Sequence, residues 1–236
     1  MRRALAAILL AVAVPAFAQQ AEKRHIATIT ASQLKGGVVS EITWDGGLLV
    51  LQGVFANPDG SLNPQYWITP ADKVSLEQRT SHTEASAKYW DTKSKVLSPT
   101  GIGRIAISTD SSLPMYGIGS LQRRVNDNVD HGGTQKRHVV KLGNTVIYER
   151  IGGPPPYEGE VWGWSPPELN RVAYVDKSGD LWIARADGSD RERILKGNFF
   201  LPAWSDDGRS IAVAEVKGRG EKWEISIVTI PPALRR

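Results

Sequence analysis

One pattern of residues occurs twice in succession between Trp164 and Thr229, and it limits the possible folds of this 236-residue chain more than any other feature. The first copy runs Trp164-Ser165-Pro166, Arg171-Val172-Ala173-Tyr174-Val175, Gly179-Asp180-Leu181-Trp182-Ile183 and Asp187-Gly188-Ser189. The second runs Trp204-Ser205-Asp206-Asp207-Gly208, Ile211-Ala212-Val213-Ala214 and Glu221-Lys222-Trp223-Glu224-Ile225. Trp164 and Trp204 stand 40 positions apart, and a fixed period of about 40 to 45 residues is the length of one four-stranded unit in a repeat fold. Asp187-Gly188 and Asp206-Asp207-Gly208 read as hairpin turns, because Asp accepts backbone hydrogen bonds locally and Gly takes positive φ without strain. Between the turns, Val172 to Val175 and Ile211 to Ala214 are apolar at every position. A strand with one face in water alternates apolar and polar residues, so these strands are expected to be buried on both faces.

At these residues the chain resembles the TolB-like, WD-repeat-like β-propeller repeat: a Trp-Ser-Pro-Asp-Gly turn, an apolar-Ala-aromatic strand, a Gly turn, Asp-Leu-Tyr/Trp-Val, then Asp-Gly. The two copies cover roughly 65 residues. The first copy departs from the pattern with Pro166-Pro167-Glu168-Leu169-Asn170 in place of Pro-Asp-Gly, and the second has Asp206 in place of Pro. The resemblance implies an exported, non-catalytic module that binds another protein of the bacterial periplasm or envelope.

Weaker echoes extend the pattern. Trp67-Ile68-x-x-Ala71-Asp72 matches Trp182-Ile183-x-x-Ala186-Asp187, and Ser98-Pro99 with Arg104-Ile105-Ala106-Ile107 aligns without a gap on Ser165-Pro166 with Arg171-Val172-Ala173-Tyr174. Val38 to Thr43 and Leu48 to Val54 form an expected hairpin around Trp44-Asp45-Gly46-Gly47, and Val139 to Leu142 pairs with Val146 to Tyr148 about Gly143-Asn144. Helix signals are confined to Ala71 to Arg79, enough for a turn or two. The fold class expected is all-β, a propeller of about five four-stranded blades within a range of four to six, spanning residues 25–230. A polar lead, 19–24, precedes it and a short tail, 231–236, follows. A ring of sheets needs its ends joined, so residues 26–30 are expected beside residues 225–229.

Residues 1–18 read as a secretory signal peptide: Arg2-Arg3, an apolar run from Ala4 to Val14, and the small-x-small site Ala16-Phe17-Ala18. The run is too short to span a bilayer, so no stable membrane insertion is expected after cleavage, and the location expected is the periplasm or outside the cell. The chain has no Cys, which excludes disulfides and a lipid-bearing cysteine. Without Arg2 and Arg3 the formal charge falls from +4 to about +2. Arg123-Arg124 and Lys136-Arg137 therefore read as solvated loop faces, and nucleic acid is not an expected partner.

No catalytic, cofactor or metal residues are assigned. His131 and His138, with Asp127 and Asp130 nearby, have no recognised zinc spacing and read as a polar surface loop. Asn126-x-Asn128-x-Asp130 resembles the start of a calcium loop but has His131 where Gly is needed and Arg137 where Glu is needed. Glu158 and Glu160, beside Trp162, imitate a glycosidase pair, but two apart on one strand they share one environment. Ser165 and Ser205 are expected to hydrogen-bond their own turns. Trp164, Trp182, Trp204 and Trp223 recur as packing residues do.

Whatever is particular to this protein should lie where the repeats differ, in the loops 57–64, 126–137 and 152–160. The candidate partner-binding residues are Asn57, Asp59, Asn126, Asp127, Asp130, His131, Arg137, Tyr157 and Glu158. The alternative to a protein-binding module is a propeller-fold hydrolase or lyase acting on envelope or imported glycans, and polar residues converging on one channel would favour it.

Overall fold

The computed structural model describes residues 21–59, 61–72, 77–79, 105–114, 134–153, 156–157 and 159–235. The signal segment 1–18 lies outside them, as do the Ser98-Pro99 echo and most of the loop 126–137.

The described chain is all-β, built from antiparallel strands that follow one another in meanders. The first sheet has the order β2 (Val38–Asp45), β3 (Leu48–Ala56), β4 (Leu62–Pro70), β5 (Glu77–Arg79). The second holds β6 (Ile105–Pro114), β7 (Thr134–Leu142) and β8 (Thr145–Ile151). The third runs β9 (Trp162–Trp164), β10 (Arg171–Val175), β11 (Leu181–Arg185) and β12 (Glu192–Leu195). The fourth contains β13 (Phe199–Trp204), β14 (Ser210–Lys217) and β15 (Lys222–Thr229), and its outer place is taken by the N-terminal strand β1 (Glu22–Thr30). Among the described residues the second sheet has three strands and the others four.

The repeat is visible in the hydrogen bonds. In the first copy the Ser165 hydroxyl accepts from the Arg171 amide at 2.9 Å, and in the second Ser205 accepts from the Ser210 amide at 3.0 Å. Each serine closes its own turn, and the first turn is one residue longer because Pro167–Leu169 winds into a single 3-10 turn. Of the third echo, Ile105-Ala106-Ile107 lies in β6 as Val172-Ala173-Tyr174 lies in β10, while Ser98-Pro99 and Arg104 lie outside the described residues. The hairpin at Gly46-Gly47 turns with both glycines at positive φ, 55° and 84°, the geometry that matches strand twist in a two-residue turn.

The apolar runs Val172 to Val175 in β10 and Ile211 to Ala214 in β14 have no polar position because each serves two cores. Val172 and Tyr174 face a cluster with Val140, Leu142 and Ile147 of the second sheet. Ala173 and Val175 face Phe199, Trp204, Ile211 and Val213 of the fourth. In β14 the alternate residues Ala212 and Ala214 join Val39, Ile42, Trp44 and Leu49 of the first sheet. The fourth sheet is thus packed between the third and the first, which brings the two ends of the described chain together. The Trp44 indole N–H donates to the Ala203 carbonyl at 2.9 Å across that junction. At the other junction β9 and β13 approach so closely that a Cβ on Gly163 would lie 2.3 Å from the Pro202 carbonyl oxygen.

Several expectations need correction. Strand β1 begins at Glu22, inside the expected lead 19–24, because its backbone is needed by β15. The pairing of the N-terminal strand with the last one is present, but Glu22 to Thr30 lie against Thr229 to Lys222, with Ala27 beside Ile225 and a bulge between His25 and Ala27. Residues 26–30 therefore sit lower on β15 than expected. The expected tail 231–236 contains a 3-10 turn, Pro232–Arg235, whose Leu234 is buried in the core between the third and fourth sheets. Glu77–Arg79 is strand where a helical turn was expected. Trp67 is wholly buried, while Trp164, Trp182 and Trp223 are half-buried against the cores.

Candidate functional site

A cleft of about 400 Å³ opens at one end of the sheets, and all four contribute to its wall. Val38, Val39 and Ser40 come from the start of β2, Val54 from β3, Tyr148 and Arg150 from β8. Val175 to Lys177 and Gly179 come from the β10–β11 turn, Asn198 to Leu201 from the start of β13, and Trp223 from β15. Tyr157, Glu160 and Val161, from the connector before β9, complete it. Clefts of this size, mostly apolar with a few placed polar groups, are the usual form of a ligand site.

Two strand irregularities shape the cleft. Strand β2 is bulged between Val39 and Glu41, which sets Ser40 out of register, and β13 is bulged between Phe200 and Ala203. Within the second bulge Leu201 is buried at φ 56°, a left-handed backbone that costs a residue with a Cβ about 1–2 kcal/mol. Bulges re-aim side chains and end pairing next to functional sites. Both are tied to the connector: the Leu201 amide donates to the Glu160 carbonyl at 2.9 Å, and the Tyr157 hydroxyl donates to the Ser40 carbonyl at 3.4 Å.

The charged groups of the wall are largely held by neighbours. Glu160 pairs with Arg150, whose guanidinium also lies over the Tyr148 ring with its carbon 5.6 Å from the centroid. Burial alone would lower the Arg150 pKa, but hydrogen bonds to Glu160 and Tyr148 outweigh it and raise it. Asp176 accepts from the Ser178 and Asp180 amides at 2.9 and 3.0 Å with one oxygen, and from the Trp182 indole at 3.0 Å with the other. Burial, then the negative charges of Glu160 and Glu41, push the Tyr157 hydroxyl above its ordinary pKa, so it stays protonated and able to donate.

The structure distributes the candidate residues unevenly. Tyr157 lies on the cleft rim, 47% exposed. Asn57 and Asp59 lie in a turn that their side chains close, with Asp59 exposed: Asn57 Nδ2 donates to the Ser61 hydroxyl at 2.8 Å, and Asp59 accepts from the Ser61 amide and hydroxyl at 2.9 and 2.6 Å. The same Asp-Gly-Ser closure recurs at Asp187 and Ser189. Arg137 is not in a loop. It stands on β7, where its Nε donates to Glu149 at 2.6 Å across the strand pair. His138 is likewise a strand residue, 1% exposed, with Nε2 3.0 Å from the Gly153 carbonyl oxygen, so the surface-loop reading fails there. Glu160 lies in a turn before β9, where a strand was expected. Asn126, Asp127, Asp130, His131 and Glu158 lie outside the described residues. Among the described residues no three His, Asp or Glu side chains gather as a metal would need, and no helix is long and apolar enough to cross a membrane.

Ser40, Arg150, Tyr148 and Leu201 were not singled out from sequence. Their strands were legible, but a bulge leaves no residue signature unless Gly marks it, and neither bulge here has one.

No family model matches the chain, and no curated protein matches it. Solved structures similar to it include the β-propeller domain of the Trilobed protease from Pyrococcus furiosus, 11% identical with a TM-score of 0.22, covering 81% of this chain and 38% of that one. Another is an acylaminoacyl peptidase from Pyrococcus horikoshii, 15% identical with a TM-score of 0.25, covering 82% of this chain and 38% of that one. The chain thus spans well under half the length of these structures. Scores this low leave the architecture to be argued from the chain's own sheets.

Proposed function

We propose that the protein is an exported β-propeller binding module, TolB-like in character, that recognises another protein of the bacterial periplasm or envelope. The observation that carries this reading is the cleft itself: residues from four sheets and a connector converge on one mostly apolar depression with Val38 and Tyr157 exposed on its rim. Exposed apolar and tyrosine side chains around a rigid depression suit protein recognition, where aromatic residues and Arg supply much of the affinity. The meandering sheets, the returning β1 strand and the 40-residue repeat support the propeller, and Met1 to Ala18 supports export.

The test is affinity purification with crosslinking from the native envelope, with mass spectrometry of the mature N-terminus. A chain beginning at Gln19, recovered with one reproducible envelope protein, is the expected result. A cytosolic chain that retains Met1, or recovery with no reproducible partner, would contradict it.

A second reading has one observation in its favour. Arg150, Glu160 and Tyr157 meet in the cleft, and such a group would serve a hydrolase or lyase acting on envelope or imported glycans. A glycan-cleaving activity abolished by Glu160→Gln, with the fold unchanged, would establish that reading in place of the first.

A further inference from the structure

We propose that the cleft takes an uncharged, bulky apolar side chain, aromatic or branched aliphatic, presented on a loop of the partner protein. This rests on the binding reading above and specifies the chemistry that the site selects. The argument is one of complementarity. Among the described residues the two carboxylates of the wall already have partners: Glu160 is held by Arg150, and Asp176 by two backbone amides and the Trp182 indole. A cation inserted here would have to displace those donors. An anion would have to compete with Glu160 for Arg150, and Lys177 at the outer turn is the other cation among the described residues of the wall. What the cleft offers an occupant without rearrangement is apolar surface from Val38, Val54, Phe200 and Trp223, with Tyr157 and Asn198 as neutral hydrogen-bonding groups.

The walls are also fixed in advance. Phe200 and Trp223 pack against each other with ring centres 6.0 Å apart, and the Leu201 amide is tied to the Glu160 carbonyl at 2.9 Å. A pre-formed apolar depression gains affinity from the area it covers and loses little to ordering. Its volume, about 400 Å³, suits one large side chain with part of its backbone.

The probe is a set of blocked pentapeptides, acetyl-Gly-Gly-Xaa-Gly-Gly-amide, with Phe, Leu, Ala, Lys or Asp at Xaa, titrated into the full mature protein and followed by amide NMR shifts of Ser40, Asn198 and Leu201. The Phe and Leu peptides are expected to move these signals and to bind at least about tenfold more tightly than the Lys and Asp peptides, since a charge inserted into apolar surroundings loses its hydration. Val38→Asp should remove the response and Val38→Leu should keep it; Val38 is 46% exposed, so neither change disturbs the core. Equal binding of the charged peptides, or no shift from any peptide, would overturn the proposal. Shifts of the same amides by methyl glucoside and not by the peptides would also overturn it and make the occupant a sugar. If an envelope partner still crosslinks while the peptides leave these amides unmoved, the protein-binding reading stands and the apolar anchor does not.

Discussion

The amide of Leu201 donates to the carbonyl of Glu160 at 2.9 Å from a left-handed backbone at φ 56°. A branched residue is thereby held where Gly would sit without strain, while its side chain is buried in the core between the first and fourth sheets. The two demands oppose each other, and their sizes can be separated. Leu201→Ala loses the buried side chain, about 2–5 kcal/mol, and keeps the strain. Leu201→Gly loses one carbon more but relieves about 1–2 kcal/mol of strain. The glycine variant should therefore unfold at higher urea concentration than the alanine variant, although Gly in a strand is ordinarily the worse of the two. The usual order, Ala above Gly, would show that the bulge is not strained.

Gly163 makes the opposite case, because its constraint is space and not backbone angle. A Cβ there would stand 2.3 Å from the Pro202 carbonyl oxygen, a backbone atom that cannot rotate away. Gly163→Ala should separate β9 from β13 and cost about 1–3 kcal/mol in urea unfolding. A neutral or stabilising effect would mean that the third and fourth sheets lie farther apart than described.

The outer strand of the fourth sheet should respond to acid. Burial raises the Glu215 carboxyl, but hydrogen bonds from Lys217 and from Lys23 of β1 outweigh it and hold the pKa below the usual carboxylate value. A depressed folded pKa gives stability that is present above the unfolded value and lost as pH falls through the folded one. Protection against hydrogen exchange at Ala27 and Ile29, buried residues of β1 paired with β15, should therefore fall as pH drops below the normal glutamate range. Glu215→Gln should flatten that dependence. Protection that falls equally in the variant would place the acid sensitivity elsewhere.

How much of this was legible in the sequence follows from what repeats. Ser165 and Ser205 could be assigned to turn closure because each stands at the same place in its copy, and Val172 to Val175 could be read as doubly buried because no position is polar. The join between the N-terminal strand and β15 was legible as a pairing, but its register was not, since the bulge between His25 and Ala27 shifts it and leaves no mark in composition. At Asn57 and Asp59 the sequence shows polar types common to turns and binding surfaces, and the structure adds that Ser61 bonds both side chains. Arg137 and His138 were misplaced because the boundary between a polar loop and a polar strand end has no periodicity to reveal it. The cleft was hidden for a further reason: its wall is assembled from Ser40, Arg150, Tyr157 and Leu201, residues brought together by sheet packing and two bulges.

The central claim, that this cleft is where the protein binds its partner, is tested most directly by site-specific photocrosslinking. A photoreactive phenylalanine analogue would be placed in turn at Val38 on the rim, at Val146 on an exposed stretch of β8 away from the cleft wall, and at Asp59 in its closed turn. Irradiation in the native envelope should give one discrete adduct from position 38 and none from positions 146 or 59. An adduct from 146 or 59 with none from 38 would contradict the account.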